Sequence, residues 1–126
     1  MAGKVLDIFE RDIAVTAVAN SNVDVLSNNS EADFKKVPGD RVRVIAEMLM
    51  YGTAGSTTGR GIELYEGKDR KAFQNDYKET SLANYNDKKT KPNAAFSPGS
   101  DMVLFIQSGA IAASGRMKVV LVDVEA

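Results

Sequence analysis

Short alternations of apolar and polar residues run along most of the chain, and they predict β-strands. The longest alternation extends from Arg41 to Tyr51, directly after the turn signal Pro38-Gly39. One face of this strand would carry the following apolar side chains: Val42, Val44, Ala46, Met48 and Met50. The opposite face starts with arginines and ends with Leu49 and Tyr51, so it would be polar at one end and apolar at the other.

The end of the chain has the clearest pattern. Met102 to Gln107 is a short apolar run, and Met117 to Val124 is apolar on both of its faces, with Val120, Val122 and Val124 on one of them. A strand that is apolar on both faces is normally covered on both sides. One face of this strand would pack in the domain core. The other face would be covered either by the same domain or by another subunit.

The predicted elements add up to about seven or eight short strands, separated by turn signals. This pattern favours an all-β, single-domain, antiparallel β-sandwich over residues 13–126. The spacing of Phe73 and Tyr77 also allows one short helix within 68–79. Residues 1–12 contain Val5, Leu6, Ile8 and Phe9, and they form either an N-terminal arm that docks on a neighbouring subunit or the first strand of the domain's own sheet.

A glycine-rich stretch, "MYGTAGSTTGRGIELYEG" at residues 50–67, has the composition of a phosphate-binding loop. Its spacing does not fit, because the lysine and hydroxyl of a G-x-x-x-x-G-K-[ST] loop are missing after Gly59. The segment from Ile62 alternates like a strand, whereas a dinucleotide fingerprint must open a helix. We therefore predict a hairpin connection between two antiparallel strands.

Composition limits the possible chemistry. The chain has no Cys and no His, which excludes thiolate or imidazole metal sites and Ser-His or cysteine nucleophiles. Its 16 basic and 17 acidic residues give a net charge of −1, so no nucleic-acid or membrane attraction is expected. No segment approaches the ~20 apolar residues of a membrane helix. We expect no catalytic residue, cofactor or metal ion.

Two weaker sites remain as alternatives. Glu47 and Glu63 would approach each other if their strands paired, but a salt-bridged sheet face is favoured over a catalytic pair. Oxygen ligands for calcium lie at Asn20, Asn22 and Asp24 and again at Asn84, Asn86 and Asp87. The calcium-loop pattern is absent, and Asn or Asp in turns normally bond their own backbone.

Two long stretches carry a family resemblance: "FKKVPGDRVRVIAEMLMYGTAG" and "FSPGSDMVLFIQSGAIAASGRMKVVLVDVEA". With V-P-G-D before the long strand and S-P-G-S before the last pair, residues 13–126 resemble small jelly-roll proteins of virus particles. These are the capsid, decoration and turret or fibre-base modules of phages and archaeal viruses. The resemblance implies two four-stranded sheets, self-assembly within a virion and no catalysis, and it transfers no functional residue.

The favoured function is therefore a virion structural protein that works by assembling as a homo-oligomer or with other virion proteins. Its predicted assembly interface comprises Val5, Leu6, Ile8, Phe9, Val120, Val122 and Val124. The main alternative is a carbohydrate- or surface-binding sandwich module. The predicted location is the virion, with the cytoplasm before assembly or a cell surface as alternatives. Such a module needs exposed aromatic rings, and the candidates are Tyr51, Tyr65, Tyr77 and Tyr85.

Overall fold

A computed structural model describes residues 3–17, 22–27, 29–54, 61–75, 82–107 and 113–126 of the chain. Within these ranges the protein has eight β-strands and one four-residue helix. In chain order these are β1 (Val5–Ala17), β2 (Asn22–Asp24), β3 (Arg41–Ala54), β4 (Gly61–Glu66), β5 (Asp69–Asn75), α1 (Tyr85–Lys88), β6 (Ala94–Phe96), β7 (Met102–Gln107) and β8 (Ala113–Glu125).

The strands form two four-stranded antiparallel sheets with the orders β1-β8-β3-β6 and β2-β7-β4-β5. We call these the first and the second sheet. Consecutive strands mostly belong to different sheets, so the chain crosses the sandwich repeatedly, and the two orders together make a jelly roll. The predicted all-β antiparallel β-sandwich is thus confirmed.

The core lies between the two sheets. β1, β3 and β8 contribute Ile13, Ile45, Met48, Met50, Met117, Val119 and Leu121. The second sheet contributes Ile62, Leu64, Ala72, Met102 and Leu104. Between β2 and β3, Leu26, Phe34 and Val37 are also buried, so this irregular segment closes one open side of the sandwich.

The N-terminal segment contributes the first strand of the first sheet. β1 starts at Val5 and pairs along its length with β8, from Val5 opposite Val124 to Ala17 opposite Ala113. Residues 5–12 are therefore part of the domain's own first sheet.

A bulge in β3 corrects the predicted faces of the longest strand. Ile45 lies opposite Leu121 and Glu47 lies opposite Val120, so Ala46 is an extra residue without a partner on β8. One extra residue moves every later side chain to the other face. Val42 and Val44 consequently point away from the core, whereas Met48 and Met50 point into it.

Two local predictions are wrong. The stretch allowed as a helix within 68–79 contains strand β5, which pairs with β4 after a turn at Gly67, where φ is +59°. The short helix lies later, at Tyr85–Lys88. The glycine-rich connection is not a hairpin either, because β3 and β4 belong to different sheets. Residues 55–60 of that connection lie outside the described part of the chain.

An ion pair in the sandwich interior connects β3, β8 and the segment before β3. The Arg43 guanidinium donates from Nε and Nη2 to the two Asp123 carboxylate oxygens, both at 2.7 Å. Its Nη1 donates to the carbonyl oxygens of Phe34 and Lys36, at 2.6 and 3.2 Å. Arg43 is 6% exposed and Asp123 is fully buried. Burial alone would raise the pKa of Asp123, but Arg43 and Arg41 outweigh it and lower that pKa.

Replacing Asp123 with Asn should leave the Arg43 charge buried without a counter-charge. Breaking such a pair from one side costs about 3–5 kcal/mol in free energy of unfolding, measured by urea denaturation. The matched control is Asp33→Asn, which removes a carboxylate that also pairs with an arginine, Arg11, but is 60% exposed. That exposed pair should cost about 1 kcal/mol or less. Equal losses for both variants would contradict a structural role for the buried pair.

The same pair predicts a dependence of stability on pH. Because the folded pKa of Asp123 lies below its ordinary value of 3.8, its stabilising contribution is complete above that pH. The contribution is lost as the pH falls from 3.8 through the lower folded pKa. Thermal melts of the parent protein should therefore decline more steeply in this acid range than melts of Asp123→Asn. Parallel declines would show that the pair does not contribute.

Deleting residues 1–12 should abolish the cooperative thermal melt seen by circular dichroism. The deletion removes most of β1 and leaves the edge of β8 without its partner along Lys118 to Val124. Deleting residues 1–3, which precede β1, is the control and should leave the melt unchanged. An intact melt after removal of residues 1–12 would mean that β1 is not needed for the sandwich.

Candidate assembly surface

The outer face of the first sheet is the surface on which most of the predicted interface residues meet. Along β8, Met117, Val119 and Leu121 point into the core, so the residues between them point outward. Directly opposite residues on antiparallel strands share a face. The outer face can therefore be followed row by row across β1, β8 and β3.

Two of these rows are entirely apolar. Val5, Val124 and Val42 form one row, and Ile8, Val122 and Val44 form the next. Ala95 of β6 lies opposite Val44 and extends the second row. We call these seven residues the outer valine face. Val5 is 50% and Ile8 64% exposed, and the four valines of β3 and β8 are half-buried.

The bulge at Ala46 makes this surface possible. Without the extra residue, Val42 and Val44 would share a face with Met48 and Met50 and point into the core. With the bulge, Arg43 at the start of the strand points inward, where it forms an ion pair with Asp123. Sequence reasoning missed Val42 and Val44 because nothing in the alternation marks the bulge.

The next two rows of the outer face contain charged residues, and their β3 side is covered. Glu47 lies in the row of Glu10 and Val120, and Leu49 lies opposite Lys118 in the row of Asp12. The segment 82–90 runs over this half: Thr90 exchanges two backbone hydrogen bonds with Met48, at 2.8 and 2.9 Å. Leu49 is only 1% exposed although it points away from the core.

Side chains of segment 82–90 fix it to the sheet. Lys89 Nζ donates to Glu47 Oε2 at 2.6 Å, and the Tyr85 hydroxyl donates to Glu47 Oε1 at 2.9 Å. The Lys118 ammonium lies 4.3 Å from the centroid of the Tyr85 ring. The hydrogen bond from Lys89, with a smaller contribution from Tyr85, lowers the pKa of Glu47. Burial and then Glu47 raise the pKa of Tyr85. These ionic contacts separate a covered half from the open valine face.

Three predicted interface residues lie outside the outer valine face. Phe9 is opposite Leu121, so its ring points to the inner side and is half-buried. The guanidinium carbons of Arg11 and Arg43 lie 4.9 and 5.1 Å from the centroid of this ring. Leu6 is 40% exposed at a bulge of β1 between Val5 and Asp7. Val120 is outward and half-buried, in the row between Glu10 and Glu47.

A cleft of about 260 Å³ opens where β1 and β3 begin and β8 ends. Its ionic groups are used in pairing: Arg11 donates to Asp33 at 2.9 and 3.0 Å, and Arg41 and Arg43 both donate to Asp123. The arrangement holds the irregular segment 33–38 against the first sheet. It offers a rigid charged wall with each of these arginines bonded to a carboxylate.

The residues of the two weaker site predictions lie apart or are engaged in other bonds, except Asn20, which lies outside the described residues. Glu47 and Glu63 do not face each other across paired strands, because β3 and β4 lie in different sheets. Each instead forms its own salt bridge, with Lys89 and with Arg70. Asp24 accepts hydrogen bonds from the backbone N–H groups of Leu26 and Leu104. No group of three acidic side chains that could hold a metal ion occurs within the described ranges.

The tyrosines of the alternative hypothesis are dispersed. Tyr51 lies on the outer face of the first sheet and Tyr85 of α1 packs over that face, and their hydroxyls donate to Asp12 and Glu47. Tyr65 is in the second sheet, where it donates to Glu63 and contacts Phe105 edge to face. Tyr77 lies outside the described residues. The three described rings therefore do not form one stacking platform.

No helix in the described part of the chain is long and apolar enough to cross a membrane. No protein-family model matches the sequence, and no curated protein matches it. Among solved structures, the chain is similar to one from the acidic stable capsid structure of the Helicobacter pylori bacteriophage KHP30. The match covers 100% of this chain and 94% of that chain, at 12% sequence identity and a TM-score of 0.45.

Proposed function

We propose that this protein is a non-enzymatic structural component of virus particles, which self-assembles as a capsid, decoration or turret protein. Its partners are further copies of the chain or other proteins of the virion. Neither a nucleic acid nor a membrane takes part in its contacts, in keeping with a net charge of −1.

The observation that carries this proposal is the outer valine face. Contiguous apolar patches rimmed by polar residues mark interaction sites on soluble proteins. Here two adjacent apolar rows are bounded on one side by the row of Glu10 and Glu47. Fully burying one Val or Ile side chain contributes roughly 1.5–3 kcal/mol, so covering several half-exposed ones supports specific association.

The fold and the composition favour the same role. Jelly rolls are a recurrent architecture of viral capsid domains and of lectins. The chain has no His or Cys, and the arginines of the end cleft are engaged with carboxylates. A non-enzymatic role accounts for both facts, because assembly needs shape and apolar area and does not need a reactive group.

A carbohydrate-binding role is the second candidate, since lectins share the architecture. Sugar rings stack on exposed aromatic faces, and the hydroxyls of the three described tyrosines already donate to carboxylates. We rank the carbohydrate-binding hypothesis behind assembly because the three described tyrosine rings lie apart, on different elements.

Self-association of the parent protein, followed by sedimentation velocity over a wide concentration range, tests the proposal. We expect a discrete oligomer that the Val122→Asp substitution converts to monomer, because a carboxylate in the middle of an apolar contact would be desolvated without a partner. A loss of about 1.4 kcal/mol weakens association tenfold, and we expect at least that.

The matched control is Val103→Asp. Val103 is also half-buried and lies on the outer side of β7 in the second sheet, between the buried residues Met102 and Leu104. It should leave association unchanged. A parent protein that stays monomeric at every concentration would overturn the proposal, and binding of that monomer to a glycan array would support the carbohydrate-binding alternative.

A further inference from the structure

We infer that the outer face of the second sheet binds a neutral oligosaccharide, one of whose sugar rings stacks on the exposed ring of Phe73. This site goes beyond the proposed function, which uses the outer face of the first sheet. A subunit that assembles through the outer valine face has its second sheet on the opposite side of the sandwich. Sugar binding is then a second activity, which accompanies assembly and does not replace it.

Six side chains of β4, β5 and β7 form this site. Leu64 and Leu104 are buried in the core, so the residues on either side of them along β4 and β7 point outward. The strand register arranges the outward residues in two rows of three: Phe73, Glu63 and Phe105, then Arg70, Tyr65 and Val103. We call these six residues the ring platform.

Three aromatic rings lie on the ring platform. The Tyr65 and Phe105 rings pack edge to face, with their centroids 5.6 Å apart, and both side chains are half-buried. Phe73 is 45% exposed, so its ring is the most accessible of the three. An exposed ring is a rigid apolar surface, which the C–H face of a sugar ring can cover. Sequence reasoning considered only tyrosines as stacking residues and therefore missed Phe73.

Donors for the hydroxyl groups of a sugar lie directly beside this ring. The guanidinium carbon of Arg70 is 4.5 Å from the centroid of the Phe73 ring, and its Nη1 donates to Glu63 Oε2 at 3.2 Å. In the described part of the chain, Nε and Nη2 of Arg70 donate to no protein acceptor, and the side chain is 51% exposed. A guanidinium carries five N–H donors, so Arg70 keeps several for a ligand.

The charges of the ring platform favour a neutral ligand. Arg70 and Glu63 form an ion pair, and Glu63 also accepts from the Tyr65 hydroxyl at 3.0 Å. The two charges cancel, so the platform does not select an anion or a cation. A purely apolar ligand would cover the free Arg70 donors without giving them an acceptor. A sugar combines an apolar C–H face with hydroxyl acceptors, and so it matches both the ring and the guanidinium.

The size of the ring platform argues for a small ligand and against a protein partner. Three strands spaced by 4.7–4.9 Å make it about 10 Å wide. A specific protein interface buries about 800 Å² and about 20–30 residues on each side, which is far more than six residues supply. On its β2 side the platform ends at Asp24, which lies opposite Phe105 and accepts from two backbone N–H groups.

Titration of the parent protein with cellotetraose tests the inference. The hydroxyls of this sugar are equatorial, so each ring presents C–H groups on its faces. A flat platform covers only one side of the ligand, and we therefore expect a Kd on the order of 1 mM by calorimetry. Saturation transfer from protein to sugar in NMR should be strongest at the ring C–H protons. If neither cellotetraose, maltotetraose nor mannotetraose binds at about 10 mM, ten times that Kd, the inference is overturned.

Phe73→Leu and Phe73→Tyr form a matched pair that locates the site. Both keep an apolar side chain at this exposed position, so both should keep the cooperative melt, but only tyrosine keeps a ring. We expect Phe73→Leu to weaken cellotetraose binding about tenfold or more and Phe73→Tyr to retain it. Equal affinities of the two variants would show that no sugar stacks at Phe73. The saturation-transfer pattern of the parent gives a second measurement that needs no variant to fold.

The outcomes separate this inference from the proposed function. The Val122→Asp variant should bind cellotetraose like the parent, because Val122 lies in the first sheet. An oligomeric parent that binds none of the three tetraoses overturns the sugar site alone. A parent that is monomeric at every concentration, and that loses cellotetraose in Phe73→Leu, overturns assembly and supports the sugar site.

Discussion

The buried ion pair of Arg43 and Asp123 is the interaction on which the first sheet and its surroundings depend. It joins neighbouring strands β3 and β8 and, through the Phe34 and Lys36 carbonyls, holds the segment that closes the sandwich. The cost of desolvating two charges is offset by the ion pair together with the hydrogen bonds of Arg43, which donates from Nε and Nη2 to Asp123 and from Nη1 to two carbonyls. The pair also requires Arg43 to point inward, and this requirement sets the direction of its neighbours Val42 and Val44.

The bulge at Ala46 reconciles this inward arginine with an apolar core. Before the bulge, the inward residues of β3 are Arg43 and Ile45, and after it they are Met48 and Met50. In a strand without the bulge, Met48 and Met50 would share a face with Val42 and Val44. Arg43 and the two methionines could then not all point inward. The same extra residue therefore supplies the ionic connection on one side of the sheet and the outer valine face on the other.

The class of fold could be predicted because alternation of apolar and polar residues, which is typical of strands, dominates the sequence. The bounds of β7, Met102–Gln107, were also predicted correctly. The faces of β3 were not predictable, since a bulge leaves no mark in a pattern of apolar residues. The pairing of β1 could not be predicted from local sequence, since the partners of its charged residues Glu10, Arg11 and Asp12 are distant along the chain: Lys118, Asp33 and Arg116. Of the candidate surface, the β8 valines were predicted, whereas Val42 and Val44 were not.

Segment 82–90 has a geometric consequence for any particle built from this chain. It occupies the half of the outer face nearest Leu49 and leaves the half nearest Val122 accessible. A neighbouring subunit cannot contact the whole outer face of the first sheet, because the turn that carries Tyr85 covers part of it. A surface that covers the outer valine face would therefore have to lie toward the start of β1, beside the turn that carries Tyr85.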